Sequence, residues 1–128
     1  MSLSAMIISS RKLTVEDFRA AVLAAGGFVN TGGKPRGTIG EGDSDIWLSL
    51  LPEDWFYEMY DSEDRLEWQN VLGDPPQSLI EIDLDHTQHS RLMYRVFFLG
   101  VAKLWPCILS DIDDALLSGD QVAQKYGC

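Results

Sequence analysis

The sequence predicts a mixed α+β sandwich, in which a small sheet of about four to six strands packs against one buried helix near residues 90–105. Three observations lead there. Residues 78–85 alternate apolar and acidic side chains, residues 86–105 are apolar at helical spacing, and residues 107–112 are again apolar. This strand–helix–strand segment is long enough for a crossover within one sheet. The length of 128 residues predicts one domain, over residues 1–128.

The first elements are a short strand over Met6–Ser9 and a helix that begins after Thr14. Thr14 can cap the free amides of the first turn, and Asp17 suits the positive end of the helix. The helical spacing of its apolar residues predicts an inward face made of Val15, Phe18, Val22 and Ala25. Gly26 and Gly27 end the helix, and Phe28–Val29 predicts a second short strand.

The middle of the chain begins with a segment typical of a loop. Residues 30–42 are rich in glycine and contain Pro35, but their glycines and lysine do not match a phosphate-binding loop. Residues 45–51 predict a strand, and Pro52 suits the first position of a helix that continues to Tyr60. Its spacing predicts that Trp55 and Met59 point inward together.

Residues 61–85 hold a second helix and the clearest strand. Asp61 or Ser62 can cap the helix, which Gly73 ends, and the two prolines after Asp74 force an extended connection. In the strand over residues 78–85, one face is apolar and the other is acidic. The strand therefore lies at an edge or has one face in water.

The last third begins with the helix at residues 86–105. Its only polar stripe is Arg91, Arg95 and Lys103, so the pattern predicts burial on most sides, and Pro106 ends it. After the strand at residues 107–112 comes a turn at Asp113 and Asp114. A short extended pair at residues 116–117 and a final helix capped by Ser118 complete the chain.

Charge is distributed unevenly along the chain. The formal net charge is −10, but residues 41–85 alone hold fourteen acidic residues and one basic residue, a net −13. Residues 1–40 and residues 86–110 each carry +3. Nucleic acid and anionic membranes are bound through basic side chains, so neither is an expected partner. Concentrated like charge repels itself, so a functional acidic face is one interpretation of this block, and a face that serves solubility alone is the other.

Acidic and aromatic residues are interleaved within residues 53–68. Exposed aromatic side chains surrounded by charged ones are typical of protein-binding hot spots. The aromatic residues Tyr57 and Tyr60 are expected to stay exposed among the acids. The outer face of the strand at residues 78–85 adds three more carboxylates. The predicted partner-binding residues are therefore Glu53, Asp54, Tyr57, Glu58, Tyr60, Asp61, Glu63, Asp64, Glu67, Glu81, Asp83 and Asp85.

Candidate catalytic groups are few. His86 and His89 could bind a metal with Asp85, but the sequence offers no distant third ligand, and helix-start histidines are common. Cys107 follows Trp105 and Pro106 at the start of a buried strand and is expected to be a core residue rather than a nucleophile. The carboxylates Asp111, Asp113 and Asp114 fit no calcium-loop pattern. The sequence therefore predicts no catalytic residue, metal or cofactor.

Several short strings resemble small bacterial immunity proteins of contact-dependent inhibition and related polymorphic-toxin systems. They are Val71 to Pro76, Leu79 to Ile82, the helix opening at Ser90, Leu104 to Leu109 with Asp111, and Leu117 to Asp120. The resemblance covers residues 45–122. It implies a cytoplasmic protein that is not an enzyme and that neutralises the C-terminal toxin domain of a neighbouring cell. It also implies a basic partner, because many such toxins are nucleases.

Two other functions are consistent with the residues alone. One is a small metal-assisted enzyme that uses His86, His89 and nearby carboxylates. The other is an interaction adaptor outside toxin systems that uses its acidic and apolar faces. The two cysteines match no disulfide or zinc pattern, and no secretory signal or membrane-spanning run is present. These features predict a cytoplasmic chain that is a monomer or a weak dimer.

Overall fold

The computed structural model describes residues 3–30, 35–51 and 57–127. It confirms a mixed α+β fold built on one sheet, in which every pairing is antiparallel and the strand order is β2-β3-β4-β5-β1-β6-β7. The sheet has seven strands among the described residues, more than the predicted four to six. They are β1 (Leu3–Ser9), β2 (Phe28–Val29), β3 (Arg36–Glu41), β4 (Ser44–Leu51), β5 (Ser78–Leu84), β6 (Cys107–Ser110) and β7 (Leu116–Leu117).

The helices begin and end close to the predicted residues. They are α1 (Val15–Ala24), α2 (Ser62–Leu72), α3 (Gln88–Ala102) and α4 (Gly119–Tyr126), and residues 57–59 are also helical. Thr14 accepts a hydrogen bond from the Asp17 amide at 3.1 Å, and Asp61 and Ser118 cap α2 and α4 in the same way. Gly73 ends α2 in the left-handed conformation, with φ of 93°. The capping signals in the sequence therefore located three helix starts.

The prediction of a loop over residues 30–42 was wrong, because residues 36–41 form β3. This strand pairs with β2 on one side and with β4 on the other. Gly37 allows close packing at this strand. A Cβ on Gly37 would lie 3.1 Å from the Val22 side chain and 3.2 Å from the Phe28 carbonyl oxygen. Glycine thus lets α1 approach the sheet, whereas in the sequence it indicated a turn.

The inner face of the sheet holds the main core. Side chains of alternate strand residues, such as Ile7, Leu48 and Ile82, are fully or almost fully buried beneath Phe18 of α1 and Phe98 of α3. Val122 of α4 belongs to the same cluster. The predicted crossover is also confirmed, because β5 and β6 both run antiparallel to β1, which lies between them.

The outer face of the sheet is covered over only part of its area by the described residues. A second cluster of Ile8, Leu79 and Ile108 packs there against Trp68 of α2, which is 5% exposed. The rest of this face carries polar side chains. The central strand β5 therefore has one apolar face and one face in contact with water, as its sequence predicted.

Four expectations about buried residues were wrong. Val15 is 49% exposed, Ala25 is exposed and Met59 is 58% exposed, while Trp55 lies outside the described residues. Helix α3 is not buried on most sides, since Val96 is 55% exposed and Leu92 is 45% exposed. The cause is that α3 contacts the sheet along one face only, and α1 leaves a gap beside it.

Candidate protein-binding surface

Helix α2 carries a cluster of exposed carboxylates. Asp61 accepts a hydrogen bond from the Asp64 amide at 2.9 Å and so caps the helix, and Glu63 lies with Asp64 in its first turn. Carboxylates at this end are stabilised by the helix dipole. Asp61, Glu63, Asp64 and Glu67 are all exposed, and Glu58 just before the helix is exposed too. The predicted acidic residues in this described part of the chain therefore do reach solvent.

Tyr60 connects α2 to the sheet. Its ring contacts Trp68 with centroids 5.0 Å apart and planes at 65°, and its hydroxyl donates to the Met6 sulfur at 3.0 Å. The expectation that Tyr60 is exposed among the acids was therefore wrong: it is partly buried in the outer cluster.

Beside α2 lies a polar area that we call the open sheet surface: Arg36, Thr38, Trp47, Ser49, Glu81 and Asp83. Strand register brings these residues together on one face, because Trp47 is paired with both Asp83 and Thr38, and Ser49 with Glu81. Trp47 is 44% exposed. The open sheet surface thus presents an indole directly beside a carboxylate.

Electrostatics joins the open sheet surface to α2. Burial raises the pKa of Glu81, the charge of Asp83 raises it further, and Arg36 opposes the shift. Burial also raises the pKa of Asp83. At Tyr60, burial raises the pKa of the hydroxyl, and both Glu81 and Asp64 add to the rise. The same hydroxyl donates to Met6, which is paired with Glu81 in the sheet, so the carboxylates of the sheet and of the helix lie side by side and form one acidic surface.

Tyr57 lies at the margin of this acidic surface. It is 45% exposed, in agreement with the sequence, and the Arg65 guanidinium lies 4.5 Å from its ring centroid. Arg65 also donates to the carbonyl oxygens of Tyr57 at 3.1 Å and Tyr60 at 2.7 Å. The one basic residue of the 41–85 block is thereby held against backbone and ring. Glu53 and Asp54 lie outside the described residues.

Asp85 has a structural role that the prediction did not include. Its carboxylate accepts hydrogen bonds from the Thr87 hydroxyl at 2.6 Å, the Thr87 amide at 2.9 Å and the Asp45 amide at 2.6 Å. These bonds, led by the one from the Thr87 hydroxyl, hold the pKa of Asp85 well below its usual range. Asp85 fixes the connection from β5 to α3, which places it at the end of the acidic surface rather than within it.

The proposed metal ligands are not assembled with a third group. His89 Nε2 lies 3.4 Å from the Glu41 carboxylate, and His86 is exposed. Within residues 3–30, 35–51 and 57–127, no three His, Cys, Asp or Glu side chains are grouped to hold a metal ion. At Cys107, burial raises the pKa of the thiol to about 12, so the nucleophilic thiolate is scarce near neutral pH.

Asp111 is the centre of a buried polar cluster. It accepts hydrogen bonds from the hydroxyls of Tyr94 and Tyr126 and from the Ile112 amide at 2.9 Å, and the Lys125 ammonium lies 3.7 Å away. The Arg95 guanidinium stacks 3.4 Å from the Tyr126 ring centroid. These contacts join α4 to α3 and β6. With its acceptors occupied by the protein itself, Asp111 serves the fold.

Sequence reasoning missed Trp47, Arg36 and Thr38. A signal for Trp47 was present, because Ile46, Leu48 and Leu50 form one face of the strand and leave Trp47 on the other. Arg36 and Thr38 were hidden by the assignment of their segment to a loop. The placement of Tyr60 beside Met6, which is paired with Glu81, depends on tertiary packing and had no local signal.

The fold and this surface define the class: a mixed α+β protein with an antiparallel sheet whose outer face is acidic and partly open. No protein-family model matches the chain, and neither a curated protein nor a solved structure matches it. Among the described residues, no helix is both long enough and apolar enough to cross a bilayer.

Proposed function

We propose that this chain is an immunity protein that acts in the cytoplasm, binding a basic toxin domain and neutralising it. The observation that carries the proposal is the placement of the exposed α2 carboxylates beside the outer face of the sheet, where Tyr60 donates to Met6 and Met6 is paired with Glu81. The resemblance of residues 45–122 to immunity proteins of contact-dependent inhibition supports the same function.

The acidic surface has the chemistry to occupy a cleft that binds phosphate. Its carboxylates on α2 are exposed and fixed to one rigid element, so they attract a basic partner at long range and accelerate encounter. Desolvation offsets part of the Coulomb attraction once the surfaces meet. Trp47 and Tyr57, each nearly half exposed, supply aromatic contact area that adds affinity at short range.

The test asks whether the reading frame beside this chain encodes a basic C-terminal toxin domain, and then measures association of that domain with the chain by stopped-flow fluorescence across a range of salt concentrations. The test variant combines Glu58→Gln, Glu63→Gln and Glu67→Gln, which leaves the Asp61 cap intact. We expect association at low salt to slow by about tenfold and the difference to shrink as salt screens the charges.

The matched control removes three charges elsewhere: Glu16→Gln in α1, Asp114→Asn in a turn and Asp120→Asn in α4. The control should slow association much less, since these carboxylates lie outside the acidic surface. Equal slowing by both variants would show only an effect of net charge. Wild-type rates in the test variant at low salt would contradict a role for the acidic surface.

A further inference from the structure

One row of side chains on the open sheet surface contains both a carboxylate and a cation. Strand register aligns its residues across β3, β4 and β5: Arg36, Ser49 and Glu81. The guanidinium and the carboxylate therefore lie on the same face, separated by one small side chain. Burial raises the pKa of Glu81 and Arg36 opposes the rise, so the two charges attract each other. This row supplies its own cation.

The neighbouring row has a carboxylate but no cation. Its residues, again one from each of β3, β4 and β5, are Thr38, Trp47 and Asp83. Burial raises the pKa of Asp83. Within residues 3–30, 35–51 and 57–127, no basic side chain forms an ion pair with Asp83. This row therefore presents a partly desolvated carboxylate without a counter-charge.

The indole of Trp47 lies directly beside this carboxylate. Residues paired across two antiparallel strands have Cβ atoms about 5 Å apart, so one small group can contact the ring and Asp83 together. Trp47 is 44% exposed. Basic side chains stack on three tyrosine rings in the described part of the chain, but none stacks on Trp47. The ring and the carboxylate are thus both available to a cation from outside the chain.

An arginine side chain matches this pair of groups. The face of a guanidinium stacks on an indole, while the N–H groups at its edge donate to a carboxylate beside the ring. A lysine ammonium is more strongly hydrated and has no flat face, so it matches the pair less well. We propose that Trp47 and Asp83 form the site at which the open sheet surface binds an arginine side chain of its partner. This inference rests on the proposed function and names the side chain that the basic partner contributes.

The test compares two peptides of equal charge, tetra-arginine and tetra-lysine, each with both ends blocked. Binding to the full chain at low salt is followed by NMR through the backbone amides of β4 and β5. Contact with the ring is followed through the indole N–H signal of Trp47, which is assigned by its loss in Trp47→Phe. We expect tetra-arginine to shift this signal and to bind about fivefold more tightly than tetra-lysine. An unshifted indole signal, or equal affinity for the two peptides, overturns the proposal.

Trp47→Leu removes the ring, and Phe28→Leu is its matched control. Phe28 is 76% exposed on the same face of the sheet, but it is paired with Thr38 and not with a carboxylate. We expect Trp47→Leu to weaken the binding of tetra-arginine by about fivefold and Phe28→Leu to retain it. Equal weakening by the two variants overturns the proposal.

Asp83→Asn tests the carboxylate, and it also tests the site if Trp47→Leu folds poorly. It should weaken the binding of tetra-arginine, whereas Asp114→Asn, which removes the same charge from an exposed turn, should weaken it much less. Equal weakening by these two variants also overturns the proposal. Neither peptide is a toxin, so this test is separate from that of the proposed function. A toxin domain whose association depends on the α2 carboxylates, but not on Trp47 or Asp83, would support the proposed function and overturn this site.

Discussion

The two faces of the sheet are built from neighbouring residues of the same strands and have opposite characters. On β5, Ile80 and Ile82 are fully buried on the inner face, while Glu81 and Asp83 stay partly exposed on the outer one. The inner face is covered by α1, α3 and α4, and the outer face is covered in part by α2. A single alternating strand thus supplies both the core and the acidic surface. Stability and binding can therefore be changed separately at adjacent positions.

The largest expected effect is a loss of stability from the inner face. Ile82→Ala removes a fully buried side chain and leaves a cavity among Leu48, Ala5 and the residues of α3. We expect the free energy of unfolding to fall by about 3 kcal/mol. The measurement is equilibrium urea denaturation followed by tryptophan fluorescence and circular dichroism.

The matched control is the neighbouring outer-face substitution Glu81→Gln, which should change stability by less than about 0.5 kcal/mol. A loss from Glu81→Gln as large as that from Ile82→Ala would remove the distinction between the two faces.

A second prediction concerns Asp111, the one carboxylate among the described residues that is buried. It is 2% exposed, and Asp111→Asn replaces one of the two oxygens that accept from the Tyr94 and Tyr126 hydroxyls with an NH₂ group, which is a donor. We expect a loss of about 2 kcal/mol, with α4 loosened first because it is joined to α3 through these contacts. Hydrogen exchange of the α4 amides measures this directly.

Asp114→Asn is the control for Asp111→Asn, since Asp114 is exposed and its positive φ of 67° is tolerated by asparagine. The control should leave both stability and exchange unchanged. If Asp111→Asn also left stability and the exchange of the α4 amides unchanged, the buried cluster would not be what joins α4 to the rest of the fold.

Features that depend on local chemistry could be predicted from the sequence. The caps at Thr14, Asp61 and Ser118 marked helix starts, and the alternation in β5 gave the orientation of both faces. Strand β3 could not be predicted, because Gly37 indicates a turn until Val22 is known to pack against it. The same limit applies to α3. Its apolar pattern predicted burial on most sides and could not show that Leu92 and Val96 are left exposed beside α1.

For the candidate site, the composition located the acidic block but not its arrangement. The carboxylates of α2 were found from their density along the chain, and those of β5 from alternation. Their proximity at Tyr60 arises because α2 packs on the outer face beside Met6, a contact between residues 54 positions apart. Nor did the sequence indicate the structural role of Asp85, whose hydrogen bonds stabilise the β5–α3 connection.

The smallest expected effect is on the pH dependence of stability. Burial raises the pKa values of Glu81 and Asp83 in the folded protein, so between the unfolded and folded pKa values the folded state binds more protons. Stability contributed by these groups is therefore present at lower pH and is lost as pH rises through that range. The double variant Glu81→Gln, Asp83→Asn lacks this loss. Its free energy of unfolding should therefore rise relative to that of the wild type as pH rises. The rise should be less than about 1 kcal/mol, because solvent screens both groups.

Asp17 provides a control of opposite sign for this pH dependence. A hydrogen bond from the Thr14 amide, 3.0 Å long, is the main reason that the pKa of Asp17 is lowered. Its stabilising contribution is present above the unfolded pKa and is lost as pH falls, so Asp17→Asn should lose stability relative to wild type as pH rises. Urea denaturation from acidic to neutral pH compares the two variants. If the stability differences of the two variants change with pH in opposite directions, the outer face favours the neutral forms of Glu81 and Asp83. A basic partner would reverse this preference, because it pairs with the charged forms. A stability difference that does not change with pH would mean that Glu81 and Asp83 are as well solvated as ordinary surface acids, and a slope of the same sign as that of Asp17→Asn would contradict their raised pKa values.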